Sequence, residues 1–354
     1  MPSPLSSSSA PIFIVGANRS GTTLLRLMLN AHSRIAVPDE LVYFRGPLAG
    51  ATHEEWAQPA VSPEAYRKAV SAFLNRTRNI LAPLSPEIMT EEICGAGPPD
   101  WRRPYAHVLS AWAATHGKER WGEKTPGNLF YADVLHDMFP DGQFIYLMRD
   151  PRAGVNSMLN APMFRGDAVI NALNRRKYDE RGLAHLKRSV PAAQRTLIRF
   201  EDLVQTPEAT LRDLCTFLGE SFEPEMLTYH RDAHRFMKTQ AVEEFNGAAT
   251  RPVSAKKTKA WRKSLSDEQL AEIEWICKDV MIRHGYERTG VPLRWTRRIR
   301  GMLVKAYWHL QDWRRRHAPQ SILQDRLFQR SRTRLNTLFT HLRQRLSRHQ
   351  PHNL

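Results

Sequence analysis

The chain of 354 residues is 42% hydrophobic and 25% charged, so it is long enough and apolar enough to bury a sizeable core. It contains no run of about 18 apolar residues, so no membrane-spanning helix is predicted. The net charge of +16 is uneven, because residues 291–354 carry 15 Lys and Arg against 2 acids. We therefore predict a boundary near residue 290, where Gly and Pro also interrupt the chain.

The N-terminal residues and the cysteines indicate the compartment. Residues 1–10 have neither a basic nor an apolar segment, so we expect a short disordered lead rather than a signal peptide. Cys94, Cys215 and Cys277 lie far apart and lack metal-ligand spacing. Reduced structural thiols in a cytosolic protein are the simplest interpretation, and the expected location is cytoplasmic.

Between residues 11 and 290, strand-like apolar segments alternate with helical patterns. Strands are predicted at 11–15, 143–148 and 195–200. Helices are predicted at 22–32, 62–80, 103–116, 127–138, 152–160, 207–218 and 266–284, and the Pro/Gly-rich segment 82–100 is predicted to be a loop. This alternation favours an α/β fold of three layers with a central parallel sheet, and a helical extension beyond it. Ligands in such folds bind where strands end and helices begin.

The first predicted strand runs into a glycine-rich turn with the sequence GANRSGTTLLRLML. Gly16 and Gly21 have Walker A spacing, but the lysine that reaches the β- and γ-phosphates is missing. Backbone amides at a helix N-terminus still bind anions, so we predict a P-loop-like site for a compact 5′ anionic group. The alternative is an ordinary strand–turn–helix with incidental glycine. The candidate ligand-binding residues are Arg19, Ser20, Gly21, Thr22 and Thr23.

The string GANRSGTTLLRLMLNAHSRIAVPDE resembles the 5′-phosphosulfate loop of sulfotransferases that use 3′-phosphoadenosine 5′-phosphosulfate (PAPS). It is closest to the branch that contains protein-tyrosine sulfotransferases and many bacterial relatives. The resemblance extends to about residue 288 and implies a sulfotransferase domain over residues 11–290. It also implies that the loop binds the 5′-phosphate and sulfuryl group of PAPS, and that adenosine 3′,5′-bisphosphate (PAP) is the product.

A second anion site is predicted in RDPRAGVNSML, directly after the strand 143–148. The resemblance implies that Arg149, at the strand's end, and Ser157, about two helical turns on, hold the 3′-phosphate. A guanidinium suits this role because it binds phosphate through paired N–H groups and keeps its charge. Lys259, in the basic segment RPVSAKKTKAW, is the further candidate donor contact. Which lysine of 256–259 contacts the donor stays open, and a solvated loop is the alternative.

Three positions depart from the family pattern in these regions. Phe200 replaces a tyrosine that contacts the nucleotide, and Ala161 replaces an arginine. Ala260 replaces the lysine expected beside Trp261. The change at Phe200 removes one polar contact that the resemblance would otherwise imply, and Lys259 is the candidate substitute for the lysine missing at Ala260.

Sulfuryl transfer needs a base for the acceptor hydroxyl and a cation for the departing phosphate. The resemblance aligns Glu40 with the base and Lys124 with the lysine that touches the bridging oxygen. Because consecutive side chains rarely face the same way, we expect only one of Asp39 and Glu40 to face the acceptor, and we choose Glu40. Glu123 is expected to point to the other face of its strand, into a structural ion pair. Taken alone, Glu40 and Lys124 would each be interpreted as surface charges.

The remaining predictions concern partners and metals. Two basic amphipathic patterns, at 295–313 and 327–346, favour peripheral attachment to an anionic membrane surface, on the inner face of the membrane. Packing on the body or on another subunit is the alternative. We expect no nucleic acid partner, because no reading motif is present, and no metal, because no ligand set has convincing spacing. The oligomeric state is left open.

We therefore predict transfer of a sulfuryl group from PAPS to a hydroxyl. Carbohydrate or glycolipid is the leading acceptor class and protein tyrosine the second, since a cytosolic chain argues against a secretory tyrosine-modifying role. Two functions of a different kind compete with sulfuryl transfer: that of a non-catalytic PAP- or PAPS-binding membrane-associated protein, and that of a small-molecule kinase. The acceptor pocket is predicted to be lined by 41–60, 82–105 and 160–190.

Overall fold

The computed structural model describes residues 10–45, 61–164, 166–236, 247, 249–255 and 258–317. Within them, five strands form one sheet in the order β2-β3-β1-β4-β5, and all neighbouring strands run parallel. Helices flank this sheet, so the predicted α/β fold with a central parallel sheet is confirmed. The strands are β1 (Ile12–Gly16), β2 (Ile35–Ala36), β3 (Arg120–Lys124), β4 (Gln143–Met148) and β5 (Arg195–Arg199).

The helices largely follow the predicted amphipathic segments. They are α1 (Thr22–Asn30), α2 (Pro63–Leu81), α3 (Pro86–Gly95), α4 (Arg102–Thr115), α5 (Ala132–Met138), α6 (Pro151–Leu159), α7 (Ala168–Arg176), α8 (Leu183–Ser189), α9 (Phe200–Gln205), α10 (Pro207–Leu218), α11 (Trp261–Ser264), α12 (Asp267–Ile276), α13 (Lys278–Arg283) and α14 (Trp295–His317). A π-helical segment, Lys177–Gly182, joins α7 to α8, and a 3₁₀ segment, Pro126–Tyr131, precedes α5.

The central strand β1 is buried along its whole length because it pairs on both sides and is covered on both faces. Its Ile14 lies opposite Lys124 of β3 and Ile145 of β4. Since the three strands are parallel, their carboxyl ends meet at one edge of the sheet. The loop after β1, the end of β3 and the end of β4 are therefore neighbours.

The predicted loop 82–100 is wrong in part, because it contains the helix α3. Pro86 occupies the first turn, where its missing N–H costs no hydrogen bond. The Ser85 side chain caps the helix by accepting a hydrogen bond from the amide of Ile88. The prolines counted as loop signals therefore include one that starts a helix.

The described residues separate into two compact units between Arg294 and Trp295. Apart from Ala10, the predicted disordered lead lies outside the described residues, as does the second amphipathic pattern at 327–346. Across the described part of the chain, none of the helices has the length and apolar character needed to cross a bilayer. All three cysteines are free thiols, as predicted.

Candidate active site

The glycine-rich turn after β1 uses left-handed backbone geometry at Arg19 (φ 63°) and Gly21 (φ 97°). A Cβ atom on Gly21 would lie 2.3 Å from Cδ2 of Phe200, so this close approach requires glycine. The first hydrogen bond of α1 runs from the Leu25 amide to the Gly21 carbonyl, so the amides before Leu25 have no partner within the helix. The Ser20 amide instead donates to the Ala17 carbonyl, so Ser20, a predicted ligand-binding residue, does not offer its amide to an anion.

A buried ionic network supports this turn from behind. Arg175 is fully buried, and its Nη1 donates to the Ser20 hydroxyl at 2.8 Å. Its Nε pairs with Asp179 at 2.6 Å, and the Tyr146 hydroxyl donates to the same carboxylate at 2.6 Å. The sequence reasoning missed Arg175. Its only signal there is the i, i+4 spacing from Asp179, which is common in exposed helices.

Arg19, Arg149 and Ser157, predicted from two separate motifs, lie together in the structure. Nε of Arg19 donates to the Ser157 hydroxyl at 3.0 Å, and Nη1 of Arg149 donates to the Arg19 carbonyl at 2.9 Å. The Arg149 guanidinium also lies 4.3 Å above the Phe200 ring. The side chain of Arg19 therefore belongs to the second predicted anion site, although its backbone belongs to the first.

These two arginines are unusually desolvated. Burial lowers the pKa of Arg149 to about 10, although nearby Glu201 acts in the opposite direction. Burial also lowers the pKa of Arg19. Nε of Arg149 is buried and has no hydrogen-bond partner in the described part of the chain. Placing two such cations side by side favours binding of an anion, which would offset both desolvation and mutual repulsion.

Lys259 lies two residues before Trp261, which anchors its segment. The buried Trp261 ring lies 4.1 Å from the guanidinium carbon of Arg152 in α6, the same helix that carries Ser157. Lys259 itself is exposed, and within the described residues no hydrogen bond joins it to Arg149 or Ser157. Residues 256 and 257 lie outside the described residues, so the role predicted for this segment stays a prediction.

The predicted base and the predicted cation are in direct contact. Lys124 is the last residue of β3, and its side chain is 2% exposed. Its Nζ lies 2.6 Å from Oε1 of Glu40 and 3.7 Å from Oδ1 of Asp39. Both carboxylates therefore lie near this ammonium, with Glu40 the nearer, and the choice of Glu40 as the one that faces the acceptor stays a prediction. The two residues follow β2 in an irregular segment, where the alternation of a strand does not apply.

Among the described residues Glu123 has no ion-pair partner, so the predicted structural ion pair is wrong. Its partners in the described structure are neutral: the Asn128 amide donates to it at 2.7 Å, the Thr125 hydroxyl also donates, and the Tyr105 hydroxyl interacts with it. Burial raises the pKa of Glu123 to about 7, which the hydrogen bond from Thr125 partly opposes. The carboxyl group therefore holds together the turn that follows β3.

Two of the segments predicted to line an acceptor pocket meet near Glu40. Tyr43 stacks on Tyr105 of α4, with ring centroids 4.6 Å apart. Phe44 stacks on Tyr131, with centroids 4.4 Å apart. Residues 46–60 and 165 of the predicted lining lie outside the described residues. Among those described, no group of three or more His, Cys, Asp or Glu side chains is placed to hold a metal ion.

Comparison with known proteins decides the family. The model of the sulfotransferase family matches residues 11–224, which is more than half of the chain. The chain belongs to the sulfotransferase family. The matched residues include the glycine-rich turn, Glu40, Lys124, Arg149 and Ser157. These predicted site residues of the sulfotransferase therefore all lie in the part of the chain that matches the family.

Individual proteins agree with this assignment. Protein-tyrosine sulfotransferase A of Caenorhabditis elegans is 23% identical over 294 residues, covering 79% of this enzyme and 68% of that protein. Carbohydrate sulfotransferase 2 of Mus musculus is 31% identical over 102 residues, covering 27% of this enzyme and 18% of that protein. The sulfotransferase domain of the Synechococcus PCC 7002 olefin synthase shares the fold, with a TM-score of 0.55 and 22% identity over 79% of this chain and 96% of that one.

Proposed function

We propose that this sulfotransferase transfers the sulfuryl group of PAPS to a hydroxyl, with Glu40 as the base and Lys124 as the cation beside the leaving phosphate. The contact between Lys124 Nζ and Glu40 Oε1 at 2.6 Å carries this proposal. Lys124 ends β3 at the sheet edge where β1 and β4 also end, and the two predicted anion sites follow β1 and β4 at that edge. A base, a cation and two anion sites at one edge are what this reaction requires.

The described residues fit a donor with phosphate at both ends. The 5′ end would be held at the start of α1 by the amides of Gly21, Thr22 and Thr23 and by the hydroxyls of Ser20, Thr22 and Thr23. Arg19, Arg149 and Ser157 would hold the 3′-phosphate. The buried, unpartnered Nε of Arg149 supports this assignment, because a phosphate oxygen would satisfy it. The donor supplies the activated sulfuryl group, and these residues bind and orient it.

Glu40 would act on the acceptor hydroxyl, and Lys124 would act on the departing phosphate. Glu40 accepts the proton of the acceptor hydroxyl as the new oxygen–sulfur bond forms. Lys124 stabilises the negative charge that develops on the departing phosphate as the old oxygen–sulfur bond breaks. Because Lys124 is almost fully buried, its attraction for that charge is weakly screened by water. Asp39, 3.7 Å from the same Nζ, would help to hold the ammonium in place.

A carbohydrate or glycolipid hydroxyl is the proposed acceptor. The local match of 31% identity to a carbohydrate sulfotransferase supports this class, whereas the longer match to a protein-tyrosine sulfotransferase supports tyrosine as the second candidate. The two classes place different demands on Glu40. A phenol, with a pKa of about 10, gives up its proton far more readily than an aliphatic hydroxyl, so a sugar acceptor depends more on the base.

Calorimetry tests the donor assignment. The wild-type enzyme should bind PAP at least tenfold more tightly than AMP, since only PAP carries the 3′-phosphate. Arg149→Met should abolish that preference, while Arg212→Met, in an exposed helical ion pair with Glu208, should preserve it. Equal affinity of the wild type for PAP and AMP would refute PAPS as the donor.

Incubation with labelled PAPS tests the acceptor. Saccharides, a glycolipid extract and tyrosine peptides should be offered separately, with ATP turnover measured as the test of kinase activity. Label on the saccharide or glycolipid supports the proposal, and label on tyrosine alone favours the second candidate. An enzyme that binds PAP but labels none of the acceptors would favour a non-catalytic binding function.

A further inference from the structure

Helix α14 presents a continuous apolar stripe to solvent. Its members recur at steps of three and four residues and are all exposed: Trp295, Ile299, Met302, Leu303, Ala306, Leu310 and Trp313. Since successive helical residues are turned by about 100°, these positions fall within a sector about 100° wide. The stripe begins and ends with tryptophans that are 73% and 54% exposed.

The opposite side of α14 is less exposed than the stripe. On that side Gly301 and Asp312 are buried, and Val304 and Trp308 are half-buried. An ordinary surface helix of a globular protein keeps its apolar residues on the inward side, so the exposed stripe of α14 is an additional apolar surface beyond Val304 and Trp308. A contiguous exposed apolar surface of this kind marks an interaction site.

The charge of α14 indicates the chemistry of the partner. The helix contains seven Lys and Arg residues and a single acid, Asp312. By helical position, Arg298 and Lys305 border the apolar stripe on one side and Arg300 borders it on the other. Long basic side chains in such positions can extend along an apolar surface and place their charges among anionic groups.

We propose that α14 lies on an anionic lipid surface, with its apolar stripe inserted between the headgroups. The terminal tryptophans are about 27 Å apart along the helix, and this residue type favours the boundary between lipid and water. A second copy of the chain fits less well. Pairing two stripes would bring two sets of basic flanks together, with one acid per helix to offset them.

Vesicle co-sedimentation of the full chain tests this proposal. The wild type should bind phosphatidylcholine vesicles that contain about one-third phosphatidylglycerol at least tenfold more tightly than pure phosphatidylcholine vesicles. Combining Leu303→Glu with Leu310→Glu should weaken binding to the anionic vesicles at least tenfold. The matched control combines Ile88→Glu with Ile282→Glu, two residues outside α14 that are 61% and 62% exposed. This control should bind like the wild type.

PAP binding and circular dichroism show whether each variant is folded. Vesicle binding that is equal in the stripe variant and the wild type would overturn the proposal, as would equal binding of neutral and anionic vesicles. If the wild type binds no vesicles but its mass in solution rises with concentration, and the stripe variant stays monomeric, the stripe would be assigned to contact with a second copy of the chain. Binding of duplex DNA without vesicle binding would assign the basic charge to nucleic acid. Either of these outcomes also overturns the proposal.

Discussion

The buried guanidinium of Arg175 donates a hydrogen bond to the Ser20 hydroxyl at 2.8 Å and another to the Arg149 carbonyl at 2.7 Å. One side chain thus connects the turn after β1 with the end of β4. The two predicted anion sites therefore share a support that would not touch the donor. We infer that Arg175 is a positioning residue, which fixes the distance between the sites.

Replacing Arg175 should weaken donor binding more than it slows the chemical step. Lysine keeps the charge near Asp179 but cannot make all three hydrogen bonds of the guanidinium. Arg175→Lys should therefore raise the Kd for PAP about tenfold, the order expected for losing one hydrogen bond to a charged group. Steady-state kinetics should show a larger rise in the donor KM than fall in kcat.

The control for this prediction is Tyr146→Phe. It removes a hydrogen bond to Asp179 but leaves the bond from Arg175 to Ser20 in place. PAP affinity in this variant should stay within about threefold of the wild type, even if the free energy of unfolding decreases. If Arg175→Lys destabilises the fold while binding PAP like the wild type, Arg175 has a structural role only.

Removing the proposed base should affect turnover and not donor binding. Glu40→Gln should lower kcat by about two to three orders of magnitude, the range of general base catalysis, while PAP affinity stays within about threefold. Lys124→Met should lower kcat to a similar extent, because charge on the leaving phosphate would be unstabilised. Glu119→Gln is the matched control, since this glutamate is 78% exposed and pairs with Arg34 at the surface.

Asp39→Asn tests which of the two neighbouring carboxylates, Asp39 or Glu40, is the base. Asp39 lies 3.7 Å from Lys124 Nζ and accepts a hydrogen bond from the Glu40 amide, so its replacement should lower kcat less than Glu40→Gln does. The reverse order, with the larger loss in Asp39→Asn, would transfer the role of base to Asp39. The same four variants with saccharide and tyrosine acceptors would compare the demands of the two acceptor classes.

The contact between Gly21 and Phe200 predicts a coupling that a double-mutant cycle can measure. Gly21→Ala should lower PAP affinity at least tenfold, because the new Cβ would lie 2.3 Å from the Phe200 ring and would displace the turn. The same substitution should cost less in a Phe200→Leu background, where the side chain is smaller. An equal cost in both backgrounds would mean that backbone strain, not the contact, is responsible.

Gly219→Ala is the control for backbone strain at a glycine of positive φ, because it introduces no new side-chain contact. This glycine also has positive φ, at 73°, but a Cβ there would meet nothing within 4 Å. Its replacement should decrease the free energy of unfolding by about 1 kcal/mol and leave PAP affinity unchanged.

The elements with strong local signals were predictable from the sequence. The helix α10 was predicted with its observed bounds, 207–218, from its helical spacing, and Pro207 at its start and Gly219 after its end fit those bounds. The strand β4 was likewise predicted as 143–148 from its apolar run. The glycine-rich turn was found because its residue types are required by its backbone geometry and not by distant packing.

Contacts that depend on tertiary packing were not predictable in the same way. A buried arginine such as Arg175 has the same local pattern as an exposed one, so its bond to Ser20 could not be anticipated. The approach of Asp39 to Lys124 was missed because strand alternation was applied to an irregular segment. The neutral partners of Glu123 were missed because charge alone suggests an ion pair, whereas the burial of the site decides which form is stable.

The buried Glu123 predicts a specific dependence of stability on pH. An ordinary glutamate in the unfolded chain titrates near 4.5, whereas burial raises the pKa of Glu123 in the folded enzyme to about 7. Between these values the folded state binds the additional proton. The contribution of Glu123 to stability is therefore fully present below about pH 4.5 and decreases as the pH rises to about 7. Above that pH both states are ionised, and the decrease, on the order of 3 kcal/mol at most, is complete.

Urea unfolding of Glu123→Gln and the wild type from pH 4 to pH 8 measures this contribution. Glutamine can keep the contacts with Asn128 and Thr125, by accepting from the first and donating to the hydroxyl of the second, but it cannot ionise. The stability of the variant relative to the wild type should therefore increase across the interval from about 4.5 to 7 and stay constant above it. The exposed Glu119→Gln should show no such increase relative to the wild type. A relative stability that is independent of pH would mean that Glu123 ionises in the folded enzyme as easily as in the unfolded chain, because its hydrogen bonds compensate for its burial.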